Sequence, residues 1–269
     1  MLRWHLGSAR LVIVMIAATS LAASGSAQTL ETETARLLHR GLWKSGAAIE
    51  RQTSADGREA ALPLLVEYGV TNRLELLVEP VPYTAIRPTA GRDATGAGDL
   101  EITGTTLLRT EGRRAPALAI AAEVKIPTAN DNLIGTGEPD YTTYLIASKR
   151  FGRLDTHANV AYAIIGSPPG TKLQNTWNGA LAAVFRPGTR TELFAEALGN
   201  TAASPEGEGD GVPGESTPVP EAAGAELVGS VGAGRYVTTT LLVYGAVSYD
   251  NNKATQLRFG LTFYSRHRR

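Results

Sequence analysis

The chain contains no cysteine, which excludes disulfide scaffolds, thiolate metal centres and cysteine nucleophiles together. Histidine is nearly as scarce. Of the four present, His5, His39, His157 and His267, no two stand at a metal-ligand spacing, so no metal and no cofactor is expected. An excess of either charge is also missing: Lys and Arg number 26, and so do Asp and Glu. That balance leaves no electrostatic footprint for a nucleic-acid partner. Long hydrophobic runs are absent beyond residue 27, where no stretch reaches the roughly 18 apolar residues that a membrane-crossing helix needs. The G-x-S-x-G elbow of serine hydrolases does not occur. Gly96-Ala97-Gly98 and Gly135-Thr136-Gly137 resemble phosphate loops only superficially, since neither continues as G-x-G-x-x-G nor ends in Gly-Lys-Ser/Thr.

What is present begins with an export segment. Arg3 and Arg10 precede an apolar run from Leu11 to Ala23, and the small residues Gly25-Ser26-Ala27 follow. About 13 apolar residues are too few to span roughly 30 Å of hydrocarbon, so 1–27 reads as a secretory signal peptide cleaved near Ala27. Its removal takes two bases and no acid, leaving 24 bases against 26 acids. Residues 28–45 read as a loosely ordered periplasmic leader. A short helix over 29–42 and a plug of the lower mouth are the other readings of the same segment.

From Gly46 onward the dominant period is two. Leu74, Leu76 and Val78 alternate with Arg73, Glu75, Leu77 and Glu79; Leu257, Phe259, Leu261 and Phe263 alternate with Gln256, Arg258, Gly260 and Thr262. Such alternation is the pattern of strands with two unlike faces. Twelve candidate strands follow, over 46–54, 58–68, 72–80, 100–110, 115–126, 141–151, 155–165, 174–186, 191–200, 224–234, 238–249 and 255–264. Connections after the even-numbered strands are brief, and those after the odd ones reach 81–99, 127–140 and 201–223. Short turns on one rim and long loops on the other are what an up-and-down membrane barrel requires. Segments of about ten residues also match a tilted transmembrane strand better than a globular one. Tyr68, Tyr83, Tyr141, Phe151, Trp177, Phe185, Tyr249, Phe263 and Tyr264 fall near strand ends, where interfacial girdles sit. The expected fold is therefore all-β, an antiparallel up-and-down transmembrane barrel of about 12 strands over 46–264, with a short basic tail at 265–269. A soluble β-sandwich, which also alternates, is the competing fold.

In a membrane barrel the charged face must point inward, because a basic side chain facing lipid at the midplane costs about 2–4 kcal/mol. That rule predicts a lumen lined by Glu67, Arg73, Glu75, Glu79, Glu101, Arg109, Glu123, Lys125, Glu192, Glu196, Glu226 and Arg258, with Glu50 and Arg186 on the same face. The lining is polar and mildly acidic. It reads either as a selective pathway or as an ion-pair network that fills a narrow bore. The acids of 201–223 do not follow a calcium-loop pattern and read as part of a solvated loop.

The order Gly98-Asp99-Leu100, Glu123-Val124-Lys125-Ile126-Pro127-Thr128, Gly135-Thr136-Gly137 with Asp140-Tyr141, Ser148-Lys149-Arg150-Phe151-Gly152 and His157-Ala158-Asn159-Val160-Ala161-Tyr162 resembles the outer-membrane family labelled after the MetA pathway of phenol degradation. The resemblance spans roughly 45–264. It implies a Gram-negative outer-membrane barrel passing small, often aromatic or hydrophobic compounds. The tail departs from the pattern, since Ser265-Arg266-His267-Arg268-Arg269 follow the terminal aromatic pair Phe263-Tyr264.

The resulting expectation is a monomeric, non-enzymatic channel or transporter in the outer membrane, contacting membrane lipid and a small solute, without catalytic residues. A sealed barrel that binds partners through its external loops is the second reading. An outer-membrane lipid hydrolase is the third.

Overall fold

A computed structural model describes residues 30–169, 173–203 and 225–265. Every regular element in it is a strand: β1 (Trp43–Thr53), β2 (Gly57–Leu62), β3 (Leu64–Gly69), β4 (Leu74–Pro80), β5 (Tyr83–Pro88), β6 (Ala94–Gly96), β7 (Leu100–Arg109), β8 (Ala117–Ile126), β9 (Asp140–Phe151), β10 (Leu154–Ile164), β11 (Thr176–Phe185), β12 (Thr191–Asn200), β13 (Glu226–Tyr236), β14 (Leu241–Asp250) and β15 (Thr255–Tyr264). All pairings are antiparallel, and β15 pairs back onto β1 from Lys44↔Tyr264 to Thr53↔Thr255. Closure removes both sheet edges, so the wall hydrogen-bonds itself without help from water. Counting β2/β3, β4/β5 and β6/β7 as interrupted single strands gives a closed 12-stranded barrel.

The interruptions have local causes. Pro63, between β2 and β3, has no N–H to give the ladder, while its carbonyl still accepts Ala48 N–H at 3.0 Å. Pro82 divides β4 from β5, and Gly98, whose N–H donates to the Val81 carbonyl (2.8 Å), divides β6 from β7. Beyond these breaks the sheet continues as an extension in which β1, β2, β5 and β6 pair in that order. Residues 81–99, expected to be an external loop, thus carry two strands. The loop after β8 packs against this extension: Ala129, Leu133 and Ile134 pack on Ile86 and Ala94. Thr128 Oγ1 donates to Gly98 O at 2.9 Å. Most of 201–223, the signal segment 1–27 and residues 266–269 lie outside the described residues.

Alternation decides which way each side chain faces. Leu74, Leu76, Leu145, Val160, Leu181, Val231, Val243, Phe259 and Leu261 stand exposed on the outer surface. The intervening Glu75, Leu77, Glu79, Thr103, Ile146 and Thr262 are buried within. Outward aromatics gather at the two ends: Trp43, Tyr68, Phe151, Phe185 and Phe263 toward the short turns, Tyr83, Tyr141, Tyr162, Trp177 and Tyr249 toward the long loops. Tyr264 differs from its neighbour and points inward, 9% exposed. The β9–β10 turn shows how tight the short rim is. Phe151 pairs with Leu154, leaving two residues, and the first of them, Gly152, takes φ +62°, which glycine adopts without a Cβ clash.

Candidate functional site

The barrel lumen holds the chain's buried ionisable groups. Of the residues expected to line it, Glu67, Glu75, Glu79, Glu192, Glu196, Glu226 and Arg258 are buried on the inner face, and Glu101, Glu123 and Lys125 are half-buried there. Two are elsewhere. Arg73 is exposed in the turn before β4. Arg109 follows a register shift between Leu107 and Arg109. That irregularity breaks the alternation and pairs Arg109 with Leu118, between the buried Ala117 and Ala119, on the outer face. Its guanidinium lies 3.2 and 3.3 Å from the Pro116 carbonyl.

The inward charges are organised in pairs. Lys44 bonds Glu67; Arg186 bonds Glu192 at 2.7 Å; Lys125 lies 2.6 Å from Asp140 and 3.8 Å from Asp99. Arg150 reaches Asp155 at 2.8 Å. Glu123 accepts the Tyr144 hydroxyl at 2.9 Å and that of Thr103 at 3.2 Å. Buried charge of this kind is tolerated only where it is paired or hydrogen-bonded.

The largest departure from the sequence reading is the leader. Residues 30–42 contain no helix and run inside the barrel instead of beneath it. Glu31 pairs with Arg258, whose Nε lies 2.6 Å from Glu50. Thr32 donates twice to Glu196. With its amide turned to suit, Asn159 accepts Glu33 N–H at 2.6 Å and donates to Glu33 O at 3.1 Å. Ala35 N–H donates to Ser148 Oγ at 2.9 Å. Arg36 bridges Asp155 (2.7 Å) and Glu111 (2.6 Å). Leu38 N–H donates to Glu75. Apolar contacts accompany these bonds: Ala35 packs on Ala117, Ala119, Ala121 and Ile146, and Leu30 on Val184, Phe194 and Tyr244. The leader thus touches β4, β8, β9, β10, β11, β12, β14 and β15, crossing the bore. Below it, at the short-turn rim, a vestibule of about 920 Å³ is lined by Ala35–Leu38, Leu42, Asn72, Glu111 and Tyr264.

Glu111, in the β7–β8 turn, anchors the leader from outside the wall. The Arg150 N–H, the Lys149 ammonium and the Arg36 guanidinium hold its carboxyl down at about 2. Asp131, in the loop after β8, is likewise lowered by its bidentate bonds to Arg92 and by the Leu133 N–H.

Sequence spacing did not single out the pair Ser148 and His157. They are nine residues apart and face each other across the β9–β10 ladder, with Ser148 Oγ 2.8 Å from His157 Nδ1. Both are buried on the lumen side, and the serine oxygen already takes the Ala35 N–H. Among the described residues no three His, Cys, Asp or Glu side chains form a group suited to a metal ion.

No protein-family model and no curated protein matches the chain, so the family resemblance seen in motif order has no matching family model behind it. Solved structures do match. One is the COG4313 outer membrane channel from Pseudomonas putida F1, with TM-score 0.65 and 12% identity over 87% of this chain and 99% of that one. NanC porin gives 0.56 and 10%, covering 81% and 98%. KdgM porin in complex with disordered oligogalacturonate gives 0.53 and 10%, covering 82% and 98%. What is shared is the fold. At these identities the likeness extends to the closed barrel and no further.

Proposed function

We propose that the protein is an outer-membrane channel for small solutes whose lumen its own N-terminal segment occupies. The observation carrying this reading is the path of Glu31–Leu38, held on opposite walls by Arg258, Glu196, Ser148, Asp155 and Glu75. A permanently solid barrel would fill its core with side chains from the wall; here a segment outside the strand ladder does so, through polar contacts that water can replace. The short-turn rim, with its open vestibule, faces the periplasm, and the long loops face outward, as in barrels of this construction. In line with the apolar outer belt and the barrel fold, the chain sits as a monomer in outer-membrane lipid. The inner wall carries more acids than bases, so the path favours cations and neutral solutes over anions. Glu67, Glu75, Glu79, Glu101, Glu123, Lys125, Glu192, Glu196, Glu226 and Arg258 line that path. The family resemblance supports small aromatic or hydrophobic compounds as solutes. No catalytic step is assigned to Ser148 and His157, which serve here to anchor the leader.

The absence of native cysteine makes a direct test available. Ala35 and Ala117 share one packed cluster, so Ala35→Cys with Ala117→Cys places a reducible link between leader and wall. Single-channel current in planar bilayers is expected to be small when the pair is oxidised and larger after reduction. If a folded barrel passes neither ions nor small solutes in either state, the channel reading fails, and the sealed barrel that binds through its loops takes its place.

A further inference from the structure

Three arginines stand together on the outer face of the β1–β2–β5 extension. Ile49, 65% exposed, pairs with Phe259, and Leu62 pairs with Tyr83; both pairs belong to the outward apolar belt. One outward step further along the strands, Arg51 pairs with Ala60, which pairs with Ala85. Another step places Thr53 opposite Arg58, and Arg58 opposite Arg87. Arg51, Arg58 and Arg87 therefore share one face, two to four residues beyond the belt. At about 3.4 Å per residue and a tilt of roughly 40°, that is about 5–10 Å above it. A headgroup layer occupies that height, given a hydrocarbon core of about 30 Å within a bilayer of about 40–45 Å.

The cluster has little internal compensation. Like charges placed directly across a ladder destabilise it, yet Arg58 and Arg87 are so placed. Arg51 and Arg58 make no ion pair or side-chain hydrogen bond among the described residues, and Arg87 has only Asp93 at 4.0 Å, with both side chains largely in solvent. An external anion is what this arrangement lacks. Guanidinium forks bind phosphate oxygens in pairs and remain charged at any physiological pH. The long-loop end faces the outer leaflet if the channel reading above is right, and the inference rests on it for that orientation. In that leaflet of a Gram-negative outer membrane the phosphates belong to lipid A. We infer that Arg51, Arg58 and Arg87 form a binding site for a lipid A phosphate, with the acyl chains lying against Ile49, Leu62, Tyr83 and Phe259.

The test is native mass spectrometry of the detergent-solubilised full chain with added bis-phosphorylated lipid A. Wild-type protein is expected to retain the lipid. The variant Arg51→Gln/Arg58→Gln/Arg87→Gln should bind it at least about tenfold more weakly, the equivalent of one lost charge-assisted contact. Lipid A stripped of phosphate should not be retained by either protein. Equal retention by the variant, equal retention of the dephosphorylated lipid, or full displacement by millimolar inorganic phosphate would each overturn the assignment. Heat-modified gel migration reports that the variant barrel is folded. Its bilayer conductance should equal the wild-type value, so loss of lipid binding and failure of the channel reading are read separately.

Discussion

Thr32 gives both its backbone N–H, at 2.6 Å, and its hydroxyl, at 2.5 Å, to the same oxygen of Glu196. The other carboxylate oxygen takes the Glu31 N–H at 3.2 Å. Three donors from the leader thus converge on one side chain of β12. The two residues lie 164 positions apart, so this contact fastens the start of the described leader to a distant wall.

Removing that carboxylate should loosen the leader more than removing any single apolar contact. Hydrogen bonds to a charged group contribute about 1.5–3 kcal/mol each, and the abandoned donors lose their partner in a buried place. Even a net loss of about 2 kcal/mol changes the docked-to-released ratio roughly thirtyfold. Glu196→Ala is expected to raise the mean single-channel current or open fraction, while Leu193→Ala, on the outward face of the same strand, leaves both as they were.

Acid should release the lower end of the leader late. Glu111 titrates near 2 because Arg150 N–H, Lys149 and Arg36 favour its charged form. A carboxyl depressed below its ordinary value of 4.5 contributes stability that is complete above that value and disappears as pH falls through the lowered one. The Arg36 bridge is therefore expected intact at pH 5 and lost between about 4 and 2. Solvent exchange of the Arg36 Nη2 protons, which donate to Glu111, followed by NMR, checks this. In Glu111→Gln the step between pH 4 and 2 that belongs to this group should be missing.

The strands were legible because each residue's environment depends on its immediate neighbours. Leu74, Leu76 and Val78 differ from Glu75 and Glu79 in sequence as they differ in space, and the same alternation gave Glu67, Glu192 and Arg258 their inward direction. Strand interruptions were harder to see. Pro82, Pro88, Gly91, Gly96 and Gly98 make 81–99 look like a loop, and only the pairing of β5 with β2 and of β6 with β5 makes two of its segments strands. Arg109 kept the expected parity in sequence but lost it at the irregularity after Leu107. The leader was least legible of all. Glu31, Thr32, Ala35, Arg36 and Leu38 have no common period, and their partners lie from 37 to 227 positions away. Nothing local announces such contacts.

The loop after β8 offers a milder perturbation. Arg92 holds Asp131 through two bonds of 2.6 and 2.7 Å and also reaches Asn132 at 2.7 Å. Solvent-exposed pairs of this kind add little to stability, and the apolar seat of Leu133 and Ile134 remains. Arg92→Ala should therefore speed backbone amide exchange over 131–137 by no more than about fivefold, measured by mass spectrometry, without changing the unfolding midpoint of the barrel.

The assignment of the outer face to lipid yields a prediction whose size separates a wall facing acyl chains from one facing water. Val160 and Leu145 oppose one another across β10 and β9 near mid-strand, and both are more than half exposed. On a protein dissolved in water, an exposed valine replaced by arginine changes stability by about 0.5 kcal/mol or less. In a bilayer the same guanidinium enters hydrocarbon and costs about 2–4 kcal/mol at the midplane, falling to about 0–1 near the interface. Val160→Arg should accordingly lower the urea-unfolding free energy in phospholipid vesicles by about 2–4 kcal/mol. Val237→Arg, in the short turn after β13 where the side chain is 62% exposed, should lower it by about 1 kcal/mol at most. Equal, small effects at both positions would mean that Val160 and Leu145 face water and not acyl chains.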